Sequence, residues 1–118
     1  MKEAYCSYDV SKLLKEKGFD EPSFAYYSEF DDWKILRFWR KYARNPINTF
    51  YLCAPTHQMA MRWLREEKNI HTDFYYLPIH KKYMWSVVET KDPKGTGSEE
   101  LYEDAVETAI KYCLENLI

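Results

Sequence analysis

The chain has 118 residues, 46% hydrophobic and 31% charged, with a formal net charge of −2. That length suits a single α+β domain over 1–118, able to bury a core without disulfides or metal. The composition argues against disorder, and no apolar run approaches the ~18 residues a membrane-spanning helix needs.

Two features of the totals stand out. Eleven Tyr, six Phe and four Trp make up 18% of the chain, against three Gly. Aromatic residues favour strands, and Tyr and Trp also favour contact surfaces. Charge runs in blocks: residues 1–32 carry a net of −4, residues 33–65 a net of +7 with no acid, and residues 66–118 a net of −5. The basic middle is either exposed or folded against the acidic ends.

The first predicted element is a helix from Tyr8 to Lys17, capped by Ser7 and stopped by Gly18, with Val10, Leu13 and Leu14 as its apolar stripe. Asp20, Glu21 and Pro22 form a turn. Ser23 to Phe30 reads as a strand with Phe24, Tyr26 and Phe30 on one face. After the polar break at Asp31 and Asp32, Trp33 to Tyr42 reads as a second strand, although its pattern is irregular. Residues 44–48 form a loop, and Thr49 to Ala54 a short third strand.

Pro55 and Thr56 open a central helix whose apolar face holds Met59, Ala60, Trp63 and Leu64, and Asn69 closes it. Two β-rich runs follow, Ile70 to Ile79 and Lys82 to Thr90, joined at His80 and Lys81. The second is apolar on both faces, which suits an internal strand. Lys91 to Gly97 reads as a loop, with Asp92, Pro93, Gly95 and Gly97 as breakers. Ser98 is placed to cap a last helix with Tyr102, Ala105, Val106, Ala109, Ile110, Cys113 and Leu117 on its apolar stripe.

The expected order is α-β-β-β-α-β-β-α. Short links between consecutive strands favour antiparallel pairing. The expected fold is an α+β two-layer sandwich, a largely antiparallel sheet with helices on one face.

Motifs for chemistry are scarce. Cys6, Cys53 and Cys113 form no CxxC pair and fit small core residues in a reduced compartment. Cys53 lies just before His57 at a strand-to-helix junction, the one arrangement that suggests a nucleophile. His71 and Asp73 alternate on one strand, which falls short of a metal set. The adjacent acid pairs do not face each other on a helix. Gly95 and Gly97 lack the lysine of a phosphate loop. No catalytic residue, metal site or cofactor is expected.

Binding is better motivated. Trp33, Arg37, Trp39, Arg40, Lys41 and Arg44 interleave rings with cations. Bases can stack on such rings while cations meet phosphates, so residues 33–44 are a candidate single-stranded nucleic-acid surface. On a strand, Arg37, Trp39 and Lys41 share a face. The same residue types mark protein contact surfaces, and a sheet roofed on one side leaves its other face for a homodimer or another partner.

Three stretches carry a resemblance: Leu14 through Pro22 (LKEKGFDEP), Ala54-Pro55-Thr56 leading to Trp63-Leu64-Arg65-Glu66, and Tyr102-Glu103-Asp104-Ala105. In that order the chain resembles a set of small uncharacterised proteins carried by gut Bacteroidales bacteria and their phages or mobile elements. The resemblance implies a cytoplasmic setting in a bacterial host and an accessory role in a mobile element. Trp33 to Tyr42 lies outside the matching stretches. The N-terminus lacks a secretory pattern, which fits the same compartment. Together these give a small, non-catalytic cytoplasmic protein acting by protein association, with nucleic-acid binding as the alternative.

Overall fold

The computed structural model of the chain describes residues 4–43, 50–89 and 92–118, with the backbone alone for 40–43. It is an α+β fold with three helices and two three-stranded antiparallel sheets. The chain divides into two compact units, residues 1–59 and 60–118.

In the first unit, α1 spans Tyr8–Glu16. The Ser7 hydroxyl accepts from the Val10 amide at 3.3 Å, as its position before the apolar stripe suggests. Gly18 sits at φ +100°, and the Phe19 amide returns to the Leu14 carbonyl at 2.9 Å. That left-handed stop turns Phe19 back to join Val10 and Leu14 in the core.

Strand β1, Ser23–Ser28, is the middle of the order β2-β1-β3, with β2 at Arg37–Ala43 and β3 at Tyr51–Ala54. The strand expected to reach Phe30 ends sooner. The Ser28 hydroxyl accepts from the Phe30 amide and caps a 3₁₀ turn over Glu29–Asp31. Asp32 and Trp33 then take φ of +53° and +61°. Two left-handed residues cannot continue an extended chain, so the second strand starts at Arg37 rather than Trp33. The buried side of this sheet is small-residue rich: Ala25 pairs with Ala54, and both are fully buried. Helix α1 packs on β3.

Helix α2, His57–Lys68, starts and stops where expected. The Thr56 hydroxyl accepts from the Met59 amide at 3.1 Å, and Asn69 takes φ +55°. Ala60, Trp63 and Leu64 are buried, while Arg62, Arg65, Glu66 and Glu67 face solvent.

The second unit holds β4, Ile70–Leu77, β5, Lys82–Glu89, and β6, Asp92–Glu99, in that spatial order. The central place of β5 matches its two apolar faces. The third strand replaces an expected loop. Its glycines admit two rings: a Cβ on Gly95 would meet Tyr112, and one on Gly97 would meet Trp85, each at 2.6 Å. The Tyr112 hydroxyl donates to the Lys94 carbonyl at 2.6 Å, and the Thr96 hydroxyl donates to the Trp85 carbonyl at 2.9 Å. Rings take the place of the missing side chains, so a Gly-x-Gly run holds as an edge strand.

Because Ser98 belongs to β6, it does not cap α3, Tyr102–Asn116. Leu101 occupies the cap position without a side-chain hydrogen bond. Glu103 and Asp104 in the first turn still complement the helix dipole. Ala105, Val106, Ala109, Ile110, Cys113 and Leu114 are buried on this helix, and α3 packs on all three strands. The opposite sheet face carries His71, Asp73, Tyr75 and Thr96, all exposed. No helix among the described residues is long and apolar enough to cross a membrane.

Candidate functional site

The sheet of the first unit builds a row of rings across its three strands. Tyr26 on β1 lies opposite Arg37 on β2 and Cys53 on β3. Trp39 and Tyr51 are therefore its diagonal neighbours on the same face. The Trp39 ring stacks on Tyr26 at 4.4 Å and 17°, and Tyr51 meets Tyr26 edge-on at 5.6 Å. Phe30, carried out of the strand by the 3₁₀ turn, continues the row at 6.2 Å from Tyr51 and 5.7 Å from Phe50. The row ends in the open: Phe30 is 75% exposed and Phe50 45%.

Of the six residues singled out in the sequence, the structure describes three side chains. Arg37 and Trp39 share the ring-bearing face, as strand alternation requires. Arg37 is not free to meet a phosphate. Its Nε donates to Asp31 Oδ2 at 2.6 Å and its Nη2 to Oδ1 at 3.1 Å. Those hydrogen bonds, with the guanidinium charge, hold the Asp31 carboxyl below the usual carboxylate range. Trp33 departs from the row. Its left-handed turn, fixed by the Trp33 amide donating to the Ser28 carbonyl at 2.9 Å, stacks it on Tyr8 at 5.3 Å and 22°. The side chains of Arg40 and Lys41, and the whole of Arg44, lie outside the described residues.

The Tyr8–Trp33 stack forms one wall of a cleft of about 370 Å³. Lys12 and Lys15 project along the same α1 stripe as Tyr8, spaced four and seven residues on. Glu16 adds one acid to the lining, and Tyr51 and Leu52 of β3 complete it. Among the described residues neither lysine is in an ion pair. Tyr51 thus serves both the ring row and the cleft. The stripe was visible in the sequence as Tyr8, Lys12 and Lys15 on the polar side of a helix, a pattern that ordinarily marks a solvated face.

The thiols take another role. Cys53 is buried, and burial first, then the charge of Asp20, pushes its thiol up to about 11, with Lys15 pulling it partly back. The fold holds a protonated thiol there, against the reading of Cys53 as a helix-activated nucleophile. The thiol brought to His57 is that of Cys6, within 4.8 Å of a ring nitrogen. The N-terminal segment puts it there by pairing with the start of α2: the Cys6 amide donates to the Pro55 carbonyl and the His57 amide to the Ala4 carbonyl, both at 2.9 Å. Both side chains are buried. His71 remains on the exposed strand face, within 3.4 Å of the Asn69 carboxamide oxygen.

Comparison with family models, with curated proteins and with solved structures finds no match to this chain.

Proposed function

We propose that this chain acts by binding, without catalysis, and that the ring-bearing face of residues 1–59 docks a second copy of the chain. The observation that carries this reading is the exposed end of the ring row, Phe30 and Phe50, beside a cation already neutralised by Asp31. Large exposed rings in contact with one another are the usual material of protein contact surfaces. Among the described residues the one cation on this face, Arg37, is paired with Asp31, which lowers the repulsion its own copy would meet across a two-fold axis. The resemblance to mobile-element proteins supports a cytoplasmic setting in a bacterial host, where a host protein is the other candidate for the same face.

Sedimentation at several protein concentrations tests this. A dimer that persists in high salt and dissociates in the Phe30→Ser/Phe50→Ser variant is expected. A wild-type chain that stays monomeric throughout the accessible range removes the reading.

Single-stranded nucleic-acid binding through residues 33–44 is the second reading, favoured by the half-exposed rings of Trp33 and Trp39. The Asp31–Arg37 pair weighs against it, since phosphate would have to displace a carboxylate. It requires affinity that falls steeply with salt and is lost in Arg37→Ala/Trp39→Ala.

A further inference from the structure

We propose that the cleft between α1 and the Trp33 turn is a nucleotide site, taking a planar base against the rings and its phosphate at Lys12 and Lys15. This goes beyond the docking of a second copy, which uses the Phe30 and Phe50 end of the ring row.

Four observations converge. The cleft is of small-molecule size, about 370 Å³, against the ~300–1,000 Å³ usual for ligand pockets. Its lining holds three flat rings: Tyr8 and Trp33, stacked at 5.3 Å, and Tyr51. Every base has a face that stacks on such rings. Two ammonium groups stand on the same rim, neither in an ion pair among the described residues. One acid, Glu16, shares the lining, so the lining keeps a net positive charge. Finally, the Trp33 position is costly. Asp32 and Trp33 both take left-handed backbone, at φ +53° and +61°, which side chains with a Cβ disfavour. Strained turns of this kind persist where the surroundings over-determine them, and such places concentrate at ligand sites. Here the turn presents an indole to the cleft.

The chemistry selects the ligand class. Rings alone would take any apolar planar molecule, and lysines alone any anion. A ring wall and a cationic rim within one small cleft suit a molecule carrying both, and a nucleoside monophosphate is the simplest. The same group is offered by the 5′-phosphorylated end of a single strand, so the source is settled by comparing the two.

Calorimetric titration of the full chain with AMP, adenosine, inorganic phosphate and a 5′-phosphorylated trinucleotide is the test. AMP is expected to bind at millimolar concentration or below, adenosine and phosphate each at least about tenfold more weakly. Trp33→Leu and Lys12→Gln/Lys15→Gln are each expected to weaken AMP by about tenfold or more, and added salt to reproduce the lysine effect. Lys12 and Lys15 are exposed, so the double variant keeps the fold, checked by its melting temperature. Trinucleotide binding tighter than AMP through the same residues assigns the site to strand ends, and equal binding assigns it to free nucleotide. If neither binds, or if binding ignores both variants, the proposal fails. Sedimentation of Trp33→Leu separates the two readings, because self-association through Phe30 and Phe50 survives that change.

Discussion

The backbone of Gly97 passes beneath the indole of Trp85 so closely that a Cβ there would come within 2.6 Å of Nε1. Trp85 is itself buried, with little room to withdraw. Gly97→Ala therefore forces a core ring to shift, at an overpacking cost of about 1–3 kcal/mol. The lower chain entropy of alanine offsets about 0.4–1 kcal/mol of that. A net loss is expected as a lower urea midpoint with unchanged m-value. Gly95→Ala should behave alike, since its Cβ would strike the ring of Tyr112, whose hydroxyl is held by the Lys94 carbonyl. Midpoints equal to wild type would mean that neither ring needs the glycine beneath it.

Ser23 makes a second, polar prediction. Its buried hydroxyl donates to the Ala54 carbonyl at 2.7 Å and accepts from the Ala25 amide at 3.2 Å. It does so next to the β1–β2 register shift between Ser23 and Ala25, and it ties β1 to the carbonyl of its other neighbour, β3. Ser23→Ala leaves buried groups unsatisfied and should cost about 1–3 kcal/mol. Faster hydrogen exchange at Ala25 is the local readout. Exchange and stability at wild-type levels would show that the ladder manages without the hydroxyl.

What the sequence disclosed follows from how local each signal is. Ser7 and Gly18 bracket α1, and Thr56 and Asn69 bracket α2, because caps act within one turn of the helix they end. Strand β5 was legible as an internal strand from its two apolar faces, and its short link to β4 pointed to antiparallel pairing. Strand β6 was hidden because its evidence lies elsewhere: Asp92, Pro93, Gly95 and Gly97 are breakers by themselves, and only the rings of Trp85 and Tyr112 make them a strand. Hiding Ser98 in that strand also removed the expected cap. Over residues 33–42 the rings and cations were readable, but a left-handed Trp33 was not, since tryptophan has no preference for that conformation. The claim of Asp31 on Arg37 depends on the same turn. Tyr8, Lys12 and Lys15 were plainly spaced on one helix stripe, and only the arrival of Trp33 turns that stripe into a wall.

The Asp31–Arg37 pair has a pH signature. Two hydrogen bonds from Arg37 favour the ionised carboxylate, so Asp31 should titrate below the ordinary carboxylate value by NMR. A depressed folded value means the pair adds its stability above the unfolded carboxylate range and loses it as pH falls through the folded one. Arg37 is half-exposed, so the contribution is small. Arg37→Met should return the Asp31 midpoint to the ordinary value while leaving melting at neutral pH nearly unchanged. An Asp31 midpoint that ignores Arg37→Met would remove the paired-cation support for self-docking, because Arg37 would then be an available cation.

The buried thiols set the alkaline limit. Burial, ahead of any charge, pushes Cys53 up to about 11 and Cys113 up to about 12. An unfolded cysteine titrates near ~8.5. Between that value and the raised ones, the unfolded chain gives up thiol protons that the folded chain keeps. Unfolding is then favoured as pH rises, with a slope of at most about 1.4 kcal/mol per pH unit for each thiol. The readout is a difference between two chains that share every other group. The loss of stability from pH 9 to pH 11 should be shallower in Cys53→Ala/Cys113→Ala than in wild type, whatever the double variant loses at neutral pH. The same burial predicts that Cys53 reacts with a thiol reagent at neutral pH only as fast as the chain opens, accelerating in urea. Rapid labelling of Cys53 in the folded chain would instead reveal an accessible thiolate, and with it the nucleophile that its burial argues against.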